Sequence, residues 1–137
     1  MKFIIPMSAK PFVMLTQKTK WYAAGQEYAA YKDSCFEYMI AETKKEERES
    51  LGACDYLSLS ITAYLPMIKK GKISRLTGKR GDATNILKAV EDGIYNKTSP
   101  LGNDKKNLKV SSEIRTTTGD PWIEVEILPW EVKHGEK

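Results

Sequence analysis

The order of hydrophobic periodicities in this 137-residue chain predicts an α+β fold: a single two-layer domain, its mixed β-sheet covered by helices on one face. Three observations carry it. Residues 55–66, "DYLSLSITAYLP", set Leu57, Leu59, Ile61 and Ala63 against Tyr56, Ser58, Ser60 and Thr62, which gives a strand one oily and one polar side. Two other stretches repeat at the 3.6-residue period of helices, and two alternating segments close the chain. The order is β-α-β-α-β-β. The length suits one domain over residues 1–137 and is small for two.

The first strand is "KFIIPM", closed by Pro6, which has no N–H to give to a ladder. "SAKPFVMLTQKTKWY" follows as an irregular crossing with Lys10, Lys18 and Lys20. From Ala23 to about Arg48, the residues Tyr28, Tyr31, Cys35, Tyr38, Met39 and Glu42 recur at helical spacing, and "ETKKEERES" makes a polar end. This predicts one helix whose tyrosines face the core. The second helix begins at or just after Asp82 and buries Ile86, Leu87, Val90 and Ile94, with Gly93 a weak point near its end. "NKTSPLGNDKKN" is turn chemistry throughout. "LKVSSEIRTT" and "PWIEVEIL" are the last two strands, and Thr118, Gly119 and Asp120 between them predict a hairpin.

Composition narrows the function classes. With 41% hydrophobic and 29% charged residues, the chain is neither disordered nor fibrous. Its apolar runs fall far short of a membrane span, and "MKFIIPM" lacks a signal peptide's length and cleavage site, so a cytoplasmic location and no membrane partner are expected. Cys35 and Cys54, with a single histidine at position 134, make neither a zinc site nor a disulfide framework; both are expected to be reduced and structural.

The net charge of +4 is modest but unevenly placed. Between residues 69 and 80, "KKGKISRLTGKR" holds Lys69, Lys70, Lys72, Arg75, Lys79 and Arg80 and no acid. Without a clean period it reads as a long exposed loop or splayed hairpin. Such a loop leading into a carboxylate suits a polyanionic ligand, and Lys10, Lys18 and Lys20 extend the same charge.

"KRGDATNILKAVEDG", residues 79–93, then places Asp82 where it caps a helix, with Asn85, Lys88 and Asp92 following at near-helical spacing along one side. Taken alone these are a cap and an exposed i,i+4 ion pair worth about 0.3–0.5 kcal/mol, and Asp104 merely starts a turn.

Yet "RGDATNILKAVEDGI", followed by Asn103-Asp104 and a pair of strands ending in "WIEVEI", resembles the RusA family of Holliday-junction resolvases, small endonucleases common in prophages. The family's central motif runs approximately D-x-D-N-x-x-K-x-x-x-D, with a D-D pair about a dozen residues on. The match is in register from Arg80 through Ile127, and the opening strand, the basic crossing and "YKD" at Tyr31 to Asp33 fit more loosely.

The resemblance implies a Mg²⁺-dependent (or Mn²⁺-dependent) endonuclease that cuts four-way DNA junctions in recombination and repair. It assigns Asp82 and Asp104 as catalytic metal-holding acids and Lys88 as the cation that offsets charge on the phosphate in the transition state. Asn85 and Asp92 take auxiliary places in the motif. Two symmetric cuts imply a homodimer. Lys69, Lys70, Lys72, Arg75, Lys79, Arg80, Lys10 and Lys18 would hold junction backbone. Asp82 at a helix start and Asp104 in the loop before the third strand would converge.

One position departs. Thr84 stands where the motif has its second aspartate, and a neutral hydroxyl is a weaker ligand than a carboxylate for a hard cation. The alternative reading is therefore a homologue that binds branched DNA without cutting it. Asn103 likewise replaces the first acid of the late pair.

Overall fold

The computed structural model describes residues 1–14, 21–69, 72–73 and 83–136, and the backbone alone at 68, 69, 72 and 73. Its elements are β1 (Lys2–Ile5), α1 (Ala23–Glu42), α2 (Lys45–Gly52), β2 (Leu57–Lys69), β3 (Lys72–Ile73), α3 (Ala83–Ile94), β4 (Asn107–Thr117) and β5 (Trp122–Pro129), with a 3₁₀ turn, Asp104–Lys106, before β4.

β2 is the axis of the sheet. It pairs antiparallel with β5 from Leu57 to Tyr64 on one edge and parallel with β4 from Leu57 to Pro66 on the other. β1 closes the far side of β5, with Phe3 opposite Val125 and Ile5 opposite Ile123. Helices cover one face of this mixed sheet, as an α+β domain requires. Leu57, Leu59, Ile61, Ala63 and Leu65 of β2 and Ile123, Val125 and Ile127 of β5 are buried under Tyr28, Tyr31, Cys35 and Met39 of α1 and Ile86, Ala89, Val90 and Ile94 of α3. The other face carries Lys2 against Glu124 at 3.4 Å, Ser60 bonded to Ser111, and the rings of Tyr64 and Trp122 stacked 3.8 Å apart.

The structure departs from the sequence pattern at four points. The first helix does not run to Arg48, because α1 ends at Glu42 and Thr43 is extended. Arg48 Nη1 donates to the carbonyl oxygens of Ile40 and Thr43, at 3.1 and 2.7 Å, so a side chain of α2 satisfies the carbonyls that α1 leaves free at its end. β2 does not end at Pro66 but continues into the basic segment, where it pairs antiparallel with β3, Lys69 opposite Lys72 across a register shift, in keeping with the hairpin alternative for that segment. The rest of the proposed basic loop, with Lys70, Arg75, Lys79 and Arg80, lies outside the described residues, as do Lys18, Lys20 and Asp82. On α3, Ala89 and Gly93 belong to the buried side, while Leu87 is only half-buried against the core.

The fourth point is topological. β4 and β5 do not form a hairpin across Thr118 to Asp120; β2 lies between them. β5 carries Ile123, Val125 and Ile127 and gains most from an interior position beneath the helices, whereas β4, with Lys109, Glu113 and Arg115, has the charged composition of an edge. The parallel pairing of β4 with β2 follows from the α3 crossover that joins them, since parallel neighbours cannot be linked by a tight turn.

Both cysteines are free, Cys35 buried and Cys54 half-exposed. Burial pushes the Cys35 thiol up to about 12, and only a thiolate is a good nucleophile. Native protein treated with iodoacetamide should therefore take up label at Cys54 and at Cys35 only after denaturation. Peptide mapping reads this directly, and native labelling of Cys35 would mean that α1 opens from the core.

Candidate active site

α3 runs along β4 in the opposite direction. Its start is tied down where the Ser112 hydroxyl donates to the Ala83 carbonyl at 2.6 Å, and its far end where the Tyr95 hydroxyl donates to Asn107 Oδ1 at 2.9 Å. Asn107 Nδ2 in turn donates to Glu91 Oε2 at 2.9 Å, so one amide joins the helix to the first residue of β4.

The 3₁₀ turn just before Asn107 is fixed from several sides. Asn103 Oδ1 accepts from the Lys105 backbone N–H at 2.8 Å, a capping role that asparagine fills as well as aspartate. Lys106 Nζ donates to the carbonyls of Gly52 and Leu101 at 2.9 and 3.0 Å. Gly102, in the left-handed region at φ 92°, lets the chain turn into this segment.

Asp104 opens the turn. It is half-buried, and its carboxylate makes no hydrogen bond or ion pair with the described residues. It acts on its neighbour instead. Burial holds the Glu91 carboxyl above its usual range, and the nearby charges of Asp104 and Asp92 push it the same way, against the Asn107 hydrogen bond and Lys88.

On the adjoining side of α3, Lys88 Nζ lies 3.8 Å from Asp92 Oδ1 and 4.8 Å from the centre of the Phe12 ring. Asp92 Oδ2 accepts from the Tyr28 hydroxyl of α1 at 3.1 Å. Half of the Lys88 side chain remains exposed. The pair that sequence spacing alone allows as a solvated surface contact is thus anchored to the core.

Of the other sequence-derived residues, Thr84 is exposed on the first turn of α3, and Asn85 is half-buried with its carbonyl accepting from the Phe12 N–H at 3.2 Å. Lys10 is exposed near the Tyr31 ring. The structure brings Lys88 and Asp92 together and sets Asp104 near Glu91, eight residues along α3 from Ala83, or about 12 Å of helix rise. The convergence of Asp82 with Asp104 lies outside the described residues.

The sequence does not single out Glu91, Tyr95 or Asn107, and it gives Tyr28 only a place in the core. The adjacent acids Glu91 and Asp92 were a visible signal, pointing to two sides of one helix. Tyr28 and Asn107 gave none, since their partners lie 64 and 16 residues away.

Among the described residues, no group of three or more His, Cys, Asp or Glu side chains is arranged to hold a metal ion. Asp104, on a turn held by Asn103 and Lys106 and with no partner for its carboxylate among the described residues, is a donor of the type hard cations take. An acid with no partner among the described residues and a half-exposed lysine of α3, both close enough to act on Glu91, are groups suited to phosphate chemistry.

No curated protein matches the chain. The family model described as endodeoxyribonuclease RusA matches residues 6–128, nearly the whole chain. The chain belongs to the RusA endodeoxyribonuclease family, whose members are Holliday-junction-resolving endonucleases.

Proposed function

We propose that this protein is a Mg²⁺-dependent, structure-selective endonuclease that resolves four-way DNA junctions as a homodimer, in recombination and repair, with Mn²⁺ as an alternative metal. The observation that supports the site assignment is Asp104: Asn103 and Lys106 fix its turn by hydrogen bonds, while its own carboxylate has no partner among the described residues. Asp104, together with Asp82 by family motif, would hold the cation, which when bound supplies charge neutralisation at the scissile phosphate and an activated water. Lys88 donates to a non-bridging phosphate oxygen and offsets the charge that builds there. Asn85 and Asp92 support these groups. Lys69, Lys70, Lys72, Arg75, Lys79, Arg80, Lys10 and Lys18 hold the backbone of the arms through contacts that carry no base information.

The test is incubation of the purified protein with an end-labelled four-way junction, with Mg²⁺, with Mn²⁺ and with chelator. Paired cuts that need metal support the reading. Binding without cutting in either metal overturns the catalytic part, and no preference for the junction over duplex DNA overturns all of it.

A specific observation favours a second reading, that of a weakened homologue: Thr84 stands exposed on the first turn of α3, where the family motif has an acid. A carboxylate there suits the positive end of the helix and adds an anionic oxygen. If the site is diminished, Thr84→Asp raises the cleavage rate and lowers the Mg²⁺ concentration needed for half-maximal cutting. Equal or lower activity in a metal titration sinks this second reading.

A further inference from the structure

The Asp92 carboxylate is divided between two partners on different helices. Oδ1 faces Lys88, four residues back on α3, and Oδ2 accepts from the Tyr28 hydroxyl of α1. A pair of flexible exposed side chains would not hold a fixed geometry, because water competes for both charges and each side chain keeps its rotamers. Tyr28 changes that. Tyr28 is 3% exposed and its ring sits edge-to-face with Phe12, centroids 5.9 Å apart at 88°, so the hydroxyl is held at a fixed point on the α1–α3 seam. Burial, with the Asp92 charge beside it, keeps that hydroxyl protonated far above its ordinary range, so it donates and Asp92 accepts.

Phe12 closes the other side. Its N–H donates to the Asn85 carbonyl, which seats the ring on α3, and the Lys88 ammonium lies 4.8 Å from the ring centre. Lys88 is therefore cornered between a pinned carboxylate and a pinned aromatic face, with half of its surface open to a ligand.

We propose that Tyr28 is a positioning residue for Lys88: through the Tyr28–Asp92–Lys88 chain, a core hydroxyl on α1 sets where the ammonium stands before the phosphate arrives. The inference rests on the reading of Lys88 as the phosphate-contacting cation. A preset lysine has already lost rotamer freedom in the free protein, so less is lost when the transition state forms. Without the hydroxyl, Asp92 turns on its own χ angles and Lys88 follows it.

The experiment is single-turnover cleavage of a saturating four-way junction with Mg²⁺ by wild type, Tyr28→Phe, Lys88→Ala and the double variant, with junction affinity measured in chelator. Tyr28→Phe keeps the ring and its contact with Phe12, and should cut roughly tenfold more slowly with affinity unchanged. In the Lys88→Ala background the same change should add nothing, since residues acting through one group are non-additive. A rate unchanged by Tyr28→Phe, while Lys88→Ala loses activity, overturns the positioning role and leaves the reading of Lys88 intact. Equal slowing by Tyr28→Phe in both backgrounds marks a structural effect and also overturns it. Wild-type cutting by Lys88→Ala removes Lys88 from the site, and the inference with it. Should Tyr28→Phe fail to fold, Asp92→Ala, which removes the acceptor that links Tyr28 to Lys88, takes its place in the same cycle, and an unchanged rate or equal slowing in both backgrounds overturns the positioning role.

Discussion

Asp104→Asn is expected to leave four-way-junction binding intact or tighter and to lower metal-dependent cleavage by at least about 10²-fold. The substitution keeps the shape of the side chain and removes only its charge. Because the Asp104 carboxylate has no partner among the described residues, no native contact is lost and the turn stays anchored by Asn103, Lys106 and Asn107. Stability should even rise slightly, since Asp104 is one of the charges pressing on Glu91. Loss of cutting with unchanged or raised thermal stability would therefore be a loss of chemistry. Cleavage at the wild-type rate would take Asp104 out of the site. A large fall in melting temperature would mean that the carboxylate has a structural task the hydrogen-bond geometry does not reveal.

Gly93→Ala is expected to destabilise the protein by about 1–3 kcal/mol, although in an exposed helix the same change gains roughly 1 kcal/mol. The opposite sign comes from a close helix approach. A Cβ at Gly93 would stand 2.8 Å from the Lys32 carbonyl oxygen, 3.0 Å from Cys35 Cβ and 3.2 Å from Lys32 Cα. Two of these are backbone atoms of α1, which cannot swing aside as a side-chain tip can, so α1 and α3 must separate. The Tyr28–Asp92 bond spans the same seam and would lengthen with it. A fall of several degrees in melting temperature, on the order of 3–10 °C, is the expected reading. Unchanged or higher stability would show that the two helices pack less tightly than these distances require.

The same glycine shows where sequence reading stops. In "KAVEDGI" Gly93 reads as a helix weak point, because glycine costs helix stability wherever nothing else is known. Its value depends on α1, some sixty residues earlier in the chain. Lys88 and Asp92 behave alike: their spacing predicted the ion pair, but not the tyrosine beneath it. For Asp104 the family motif singled out the residue, and local turn chemistry predicted the bend; the bonds that hold that bend come from Gly52, Leu101 and Glu91.

By itself, the sequence determined the α+β class, the alternating core face of β2, the two helical stretches, the strand character of β4 and β5 and the family, since each is written in neighbours or in a period of two or 3.6 residues. Only the tertiary structure decided that β2 separates β4 from β5, that Arg48 ends α1, that Gly93 is a contact point, and which side chains hold Lys88 and surround Asp104. Periodicity says which face of an element is apolar. It does not say which edge or helix will meet that face, because strand order and helix approach are settled by how much apolar surface the whole arrangement buries at once.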